Sequence, residues 1–514
     1  MHIGFLNPQG NFDPSDSHLS EHADFGGQLT YVKQVALEMA KKGHKIDILT
    51  RQIIDPDWPE FAEPFDAYPG VDNVRIIRLP AGPKEFLNKE LLWPHLVTDW
   101  VPNILKFYRE QGGLPDAMTT HYGDGGICGV LIEDETGVPF TFTGHSLGAQ
   151  KMDQRQVTPE NLAEMDEQLH FGHRLIAERL SMNRSAVNIT STRQERFEQY
   201  AHIAYRGAVD VFKKARFAVI PPGVDSSIFG SEARSYNEEA TKELVMERLA
   251  RDITEDRRDL PVILASSRLA PKKNILGLVQ AFAISHTLQE RANLLLITPG
   301  LDNPLHEEAS DPRTEQEVLA PIREVVKEND LWGKISAFGL PDQPALAATY
   351  RLMSRRRSVF ALTAFYEPFG LGPLEAAATG LPVVGTQNGG LSESLGEGDG
   401  DEESAVLVDP EEPADIARGL EQVLCDAQLW DQLQENGQQR VLSHYTWEST
   451  AKNYLTLIEQ IVAEPGARRS SELLPIHPYF RNPQPDTDVS LEELSRLYFG
   501  SDQMAQIEEE RTCA

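Results

Sequence analysis

The chain has 514 residues, with 48 basic and 79 acidic side chains, a net charge of −31, and hydrophobic and charged shares of 40% and 25%. That length exceeds a single core, so two or three domains of ordinary globular composition are expected. The acidic balance excludes nucleic acid or an anionic membrane as the main partner, because phosphate-rich surfaces call for a basic face.

Short apolar strands alternate with amphipathic helices, the pattern of a doubly wound α/β architecture. Residues 2–6 read as the first strand. A helix follows at 28–42, with Leu29, Val32, Val35 and Met39 on one stripe and Gly43 as its stop. Further strands are expected at 45–49, 74–79, 117–120, 140–143, 186–190 and 217–220. Pro221-Pro222-Gly223 closes this series. Residues 229–259 are charged and poor in strand signal, and read as a helical connection between domains. A second α/β series runs through 261–266, 293–297, 334–338, 358–364, 382–385 and 405–408, followed by a helix at 413–424. Residues 447–462 form one more helix, 465–485 are rich in Pro, Arg and Ser, and a short acidic helix closes the chain. Two such halves imply two sheets facing across a cleft, with ligands beyond the carboxyl ends of the strands. Cys128, Cys425 and Cys513 stand far apart with no CxxC or Cys/His spacing, which points to a reducing compartment and no structural zinc. MHIGFLNPQG lacks the features of a secretory signal and no run of about 18 apolar residues exists, so a cytoplasmic protein with no membrane span is expected.

Four segments carry chemistry. Asp24-Phe25-Gly26-Gly27-Gln28 joins the first strand to the first helix; its glycines let a ligand approach the backbone at a helix N-terminus. A bare Gly-Gly is as often simple loop geometry. His145, in TGHSLG, follows a strand end, where it can donate to a hydroxyl or stabilise developing charge. Arg268 and Lys273, in RLAPKKN, sit at a strand–helix junction and can both address a diphosphate. The segment 365–390, FYEPFGLGPLEAAATGLPVVGTQNGG, is the most informative. Its turn at Phe369, Gly370 and Leu371 opens a small-residue helix and is suited to a diphosphate, while Glu367 and Glu375 flank it and can accept from sugar hydroxyls. The turn between these carboxylates assigns them to two different sugars rather than to one glycosidic bond.

Together FLNPQGNFDP, DFGGQL, THYGDGG, TGHSLGAQK, SRLAPKKN and the 365–390 segment closely resemble the retaining GT-B glycosyltransferases, within them the sucrose-phosphate synthase and sucrose synthase group. The resemblance spans Ile3 to about Leu455. It implies two Rossmann-like domains: residues 1–228 with about 446–514 crossing back, binding the acceptor, and residues 229–445 binding the nucleotide sugar. It implies glucosyl transfer from UDP-glucose to fructose 6-phosphate with retention, giving sucrose 6-phosphate and UDP. Arg268 and Lys273 then match diphosphate ligands and Glu375 the ribose contact. Glu367 and the backbone of Phe369, Gly370 and Leu371 match the donor glucose contact, His145 lies near the reacting sugars, and Gly26, Gly27 and Gln28 touch acceptor and diphosphate. No cofactor or bound metal is implied, since Arg and Lys take that electrostatic role. A separate phosphatase is the implied functional partner, because no phosphatase region matches. Two departures stand out: Ala270 where the family has Asp, expected to loosen the loop bearing Lys273, and Leu391 where it has Pro.

Lys89, Lys151 and Arg174 match positive positions of the family's phosphate-binding set. Two or three charge-assisted contacts of about 1.5–3 kcal/mol each discriminate against an acceptor without phosphate. Arg179 is five residues from Arg174, about 140° around a helix, so only Arg174 is assigned. The motifs leave open a sucrose synthase, a mannosyl transferase using GDP-mannose and fructose 6-phosphate, a sugar-nucleotide epimerase of the same fold, and a non-catalytic sensor.

Overall fold

The structure, a computed structural model, describes residues 1–18, 25–396, 402–468 and 470–500; Asp24 and Cys513 lie outside the described residues. The chain forms two compact units, Met1–Pro221 with Thr450–Ala514, and Pro222–Ser449. The expected domain limits lay at 228/229 and about 445/446.

The first unit holds an eight-stranded sheet: β1 (His2–Leu6), β2 (Lys45–Arg51), β3 (Phe65–Asp66), β4 (Val74–Leu79), β5 (Ala117–His121), β6 (Phe140–Thr143), β7 (Val187–Thr190) and β8 (Phe217–Val219). The spatial order is β3-β4-β2-β1-β5-β6-β7-β8, all parallel except the β3 edge. Helix α1 (Gly27–Lys41) buries Leu29, Val32, Val35 and Met39, the stripe that its sequence carries. Helix α2 (Tyr122–Thr136) follows β5 directly, α3 (Gly148–Gln154) follows β6, and α4 (Phe171–Arg184) packs along α2.

Close packing of α2 explains its run of glycines. A β-carbon at Gly125 would stand 2.6 Å from the carbonyl oxygen of Leu6, and one at Gly126 would overlap Ser181 of α4. The THYGDGG segment therefore lets a helix lie hard against the sheet and its neighbour, a demand of packing density rather than of backbone freedom.

The second unit holds β9 (Val262–Ser266), β10 (Asn293–Ile297), β11 (Ile335–Phe338), β12 (Val359–Leu362), β13 (Val383–Thr386) and β14 (Val406–Val408), in the order β11-β10-β9-β12-β13-β14 and all parallel. Runs such as Asn293–Ile297 are buried throughout, as strands covered on both faces must be. Residues 229–259 are not a mere connection. Their helix α5 (Glu238–Asp252) buries Val245 and Leu249 in this unit's core, and Glu238 takes two hydrogen bonds from the buried Arg351, one of them 3.1 Å. Helices α6 (Ile275–Ile284) and α7 (Leu371–Ala378) follow β9 and β12, and α8 (Pro413–Cys425) packs on α6.

Helix α9 (Trp447–Ala463) leads back to the first unit, where Tyr454 meets Thr141 of β6 at 3.0 Å. The segment beyond it is bound throughout its described length. Arg216 donates to the carbonyl of Arg468 at 2.6 Å, Leu474 N–H donates to Asn183 at 2.7 Å, and Tyr479 stacks on His173 with centroids 4.1 Å apart. Helix α10 (Leu491–Phe499) ends this path, with Tyr498 donating to Asp153 of α3 at 2.6 Å.

Replacing Gly126 with Val should overpack the α2–α4 contact at a cost of about 1–3 kcal/mol. A thermal melt followed by circular dichroism is expected to show a midpoint lowered by several degrees; an unchanged midpoint would mean that the helices tolerate a wider spacing.

Candidate active site

Each sheet reverses its strand order at one place, between β1 and β5 in the first unit and between β9 and β12 in the second. Loops diverge there beyond the strand ends and leave a crevice. Gly26 and Gly27 follow β1, His145 follows β6, Arg268 and Lys273 follow β9 and Glu367 follows β12, whereas Lys89 lies beyond β4 and Lys151, Arg174 and Glu375 lie on helices.

In the first unit, Tyr122 and His145 follow β5 and β6 directly, and both have left-handed backbone, φ 61° and 53°. Non-glycine residues hold that conformation only where the surroundings impose it, often at working sites. His145 Nε2 lies 2.8 Å from Nδ1 of His121, the last residue of β5, and the ring is flanked by Tyr31 at 5.2 Å and Tyr122 at 5.6 Å between centroids. Burial pushes the His145 imidazole down to about pKa 3, and burial together with His145 pushes His121 well below the ordinary histidine range. Both rings are neutral at physiological pH.

A cleft whose wall includes Tyr122, the ring neighbour of His145, is lined by Gln9, Lys89, Glu90, Trp93, Tyr122, Gly123, Asp124, Leu169 and Arg174. Lys151 is not among these residues, but its ammonium is near enough to Arg174 and Lys89 to feel both. Burial first, then those two cations, bring it down to about pKa 8 against the opposing pull of Glu90. Lys89, Lys151 and Arg174 thus converge, with Glu90 3.5 Å from Lys89. Arg174 is held by its own partners. Its Nε donates to Glu178 at 2.9 Å, its Nη2 donates to the carbonyl of Ser146, and its plane lies over Tyr122 at 5.8 Å. Burial alone would lower the Arg174 pKa, and Glu178 overrides this to hold it above the usual arginine range. Arg179 points elsewhere, donating to the carbonyls of Ala204 and Arg206.

Glu178 organises this half. It is fully buried, accepts from the Gly148 N–H at 2.9 Å on each oxygen, from Arg174, and from the Tyr205 hydroxyl, which itself accepts from the Ala149 N–H. Gly26 and Gly27 show no neighbour within 4 Å of a β-carbon among the described residues, so internal packing does not require glycine there. Gln28 is buried and lies 3.5 Å from Asn7.

In the second unit, Lys273 forms an ion pair with Glu367 at 2.6 Å. In the loop bearing Lys273, Lys273 N–H donates to the Ala270 carbonyl at 2.9 Å, Phe365 N–H donates to the Lys272 carbonyl at 3.1 Å, and Thr363 donates to the Asn274 carbonyl at 3.0 Å. Arg268 is exposed and makes no side-chain ion pair among the described residues. Gly370 caps α7 with φ 89°, setting Phe369, Gly370 and Leu371 around its N-terminus. Gly389 and Gly390 admit the backbone of Glu367–Phe369, since a β-carbon on Gly389 would overlap the Glu367 carbonyl and one on Gly390 would stand 2.6 Å from that of Pro368. Leu391 is fully buried against Gly385, so its departure from proline fills core. Glu375 lies near Tyr350, and burial pushes its carboxyl up to about pKa 7.

The sequence reading missed His121, Tyr122, Gln9, Trp93 and Glu178. His121 and Tyr122 sit inside the quoted THYGDGG segment at a strand end, a placement that signals them. Glu178 carries no such signal, because two of its three partners, Gly148 and Tyr205, come from stretches of chain far from its own helix.

A family description, sucrose synthase first GT-B domain, matches residues 19–249, and glycosyl transferases group 1 matches residues 247–440. With two parallel α/β units and sites at both switch points, the chain is a GT-B glycosyltransferase. A probable sucrose-phosphate synthase of Thermosipho melanesiensis is 40% identical over 90% of this chain and 97% of its own length. The solved sucrose-phosphate synthase of Thermosynechococcus elongatus superposes with a TM-score of 0.63 at 26% identity, covering 90% of this chain and 99% of that one. The spinach sucrose-phosphate synthase is 31% identical over 89% of this chain and 47% of itself, so the chain spans about half the length of such plant relatives. The chain belongs to the sucrose-phosphate synthase family.

Because Glu375 has its pKa raised above the unfolded value, its ionisation opposes folding as pH rises from about 4.5 through 7, and the penalty is absent below that window. Glu375→Gln should therefore raise the melting temperature at pH 8 but not at pH 4.5. An equal shift at both values would place the carboxyl in a more polar setting.

Proposed function

We propose that the protein transfers glucose from UDP-glucose to fructose 6-phosphate with retention, giving sucrose 6-phosphate and UDP. The convergence of Lys89, Lys151 and Arg174 beside His145 is the observation that carries this reading, because an acceptor with free sugar hydroxyls alone gives such a cluster nothing to neutralise. It favours fructose 6-phosphate over the free fructose of a sucrose synthase. Three cations and a donor-side lysine–glutamate pair also argue against a single-substrate epimerase.

On the donor side, Arg268 and Lys273 address the diphosphate, Glu367 the glucose hydroxyls with the Phe369–Leu371 backbone, and Glu375 the ribose. Arg268 needs no movement of a partner to do so, whereas Lys273 exchanges Glu367 for phosphate oxygens, and Glu367 is released to the sugar in the same step. No bound metal is assigned to this chemistry. On the acceptor side, Gly26 and Gly27 lie open for close approach to the sugar and diphosphate, with the buried Gln28 following them.

In the transfer the acceptor hydroxyl oxygen bonds to the anomeric carbon, the bond from that carbon to the β-phosphate oxygen breaks, and the hydroxyl proton must leave. At a pKa of about 3, His145 is a weak base. A terminal phosphate with pKa about 6 outcompetes it for the proton, so the departing UDP takes the proton and His145 serves as a neutral hydrogen-bonding partner of the sugars. The product keeps its phosphate, and a separate phosphatase is the partner reaction that would release sucrose.

UDP release should be rapid with UDP-glucose and fructose 6-phosphate, and slower by about two to four orders of magnitude with fructose, given two contacts of about 1.5–3 kcal/mol. Equal rates with both acceptors would refute the phosphate assignment. Lys89→Ala and Lys151→Ala should each raise the KM for fructose 6-phosphate about tenfold or more while that for UDP-glucose stays within about twofold. The acceptor KM of the parent enzyme should also rise as pH passes through about 8, where Lys151 loses its charge, and Lys151→Ala should lose that limb. His145→Ala is expected to lower kcat by about 100-fold or more while UDP still binds by calorimetry; near-normal turnover would remove His145 from the reaction.

A further inference from the structure

His121 is a buried, uncharged imidazole at the end of β5 with no place in the reaction as described. It is 1% exposed. Phe5 stacks on it at 5.9 Å, the edge of Tyr31 meets it at 5.9 Å, and the His145 ring stacks at 5.1 Å. Its two ring nitrogens are both engaged, Nδ1 with Nε2 of His145 at 2.8 Å and Nε2 with the Thr119 hydroxyl at 3.1 Å. Thr119 also hydrogen bonds with Tyr454, whose hydroxyl lies 3.0 Å from Thr141. A continuous chain of hydrogen bonds therefore runs from α9 through β5 to His145.

A neutral imidazole carries one proton on one of two nitrogens, and a hydrogen bond at either nitrogen decides which. If Thr119 donates to His121 Nε2, then His121 donates from Nδ1 to His145 Nε2, and His145 carries its own proton on Nδ1. If the chain runs in the opposite sense, His145 donates from Nε2 and leaves Nδ1 as a bare acceptor. Among the described residues Nδ1 of His145 makes no hydrogen bond, and it is the atom left for a ligand. The sense of the chain sets whether that atom gives or takes a hydrogen bond. In the low dielectric of the pair an N–H facing an N–H would leave buried donors unpaired, so the two rings change sense only together and His121 limits the tautomer that His145 adopts.

We propose that His121 is a positioning residue that fixes His145 in a single neutral tautomer and so determines the hydrogen bond that His145 makes to the reacting sugars. This rests on the reading of His145 given above. A substitution at position 121 then acts on turnover rather than on substrate capture, because Lys89, Lys151 and Arg174 are untouched.

The test uses the full chain with histidine side chains labelled with nitrogen-15, the His145 signals being assigned by their loss in His145→Ala. The parent protein should show His145 as one tautomer, and His121→Leu should show both tautomers or the other one. Kinetically, His121→Leu should lower kcat about 10- to 100-fold with both KM values within about threefold, and His121→Asn, which keeps a hydrogen-bonding group near Nδ1, should recover most of the loss. The double variant His121→Leu/His145→Ala should be no slower than His145→Ala alone, since the two act as one unit. A His145 spectrum unchanged by His121→Leu, or losses that multiply in the double variant, would overturn the proposal. Should His121→Leu not fold, the spectrum and rates of His121→Asn and of Thr119→Val decide it in the same way. Normal turnover of His145→Ala would instead sink the catalytic reading of His145, leaving the tautomer itself to be decided by the spectrum.

Discussion

The surroundings of Lys151 and Arg174 in the first unit are built around one buried carboxyl group, that of Glu178. A carboxylate in a protein interior is costly unless its oxygens are filled with donors, and Glu178 fills them with a backbone N–H, a guanidinium and a phenol. Meeting that demand fixes three things that the site needs. It anchors the start of α3, which carries Lys151. It aligns Arg174, which in turn grips the carbonyl of Ser146 beside His145. And it draws Tyr205 under the same helix. The geometry of the acceptor half thus follows from satisfying a charge that never meets a substrate.

The two halves handle their own charges in opposite ways. In the second unit Lys273 and Glu367 neutralise each other at 2.6 Å, and the loops that bear them are laced by backbone hydrogen bonds. In the first unit Lys89, Lys151 and Arg174 stand close together, and burial first, then the two other cations, lower the pKa of Lys151. A diphosphate sugar brings both phosphate oxygens and hydroxyls, so it can occupy both members of an ion pair at once. A sugar phosphate brings one concentrated anion, for which a cluster of cations is the better match.

Much of this was legible in the sequence. The strands of both series were readable because parallel strands covered on both faces are short, continuous apolar runs. Where their ends erred it was by one or two residues, as at 358–364 against Val359–Leu362, where Thr363 and Ala364 continue into the loop. The candidate site loops drew notice because glycine turns, a lone histidine and paired charges stand out beside strand ends. What was not legible depended on contacts across the chain. The helix at Glu238–Asp252 looked like a linker because only Thr241, Val245 and Leu249 are buried in a highly charged stretch. Glu178 and His121 drew no notice because a glutamate in a helix and a histidine after a strand are common, and only their partners make them unusual.

The path of residues 465–499 has a consequence for how the protein is made. Tyr479 packs on His173, next to Arg174; Phe480 meets Trp93 at the wall of the acceptor cleft; Tyr498 holds Asp153, two residues beyond Lys151. All three are translated after the whole of Pro222–Ser449. A nascent chain can therefore complete the Pro222–Ser449 unit on the ribosome while the cleft around Arg174 still lacks its outer supports, since domains fold as units in the order they emerge. The unit that holds Lys89, Lys151 and Arg174 is first in the gene and last to be finished.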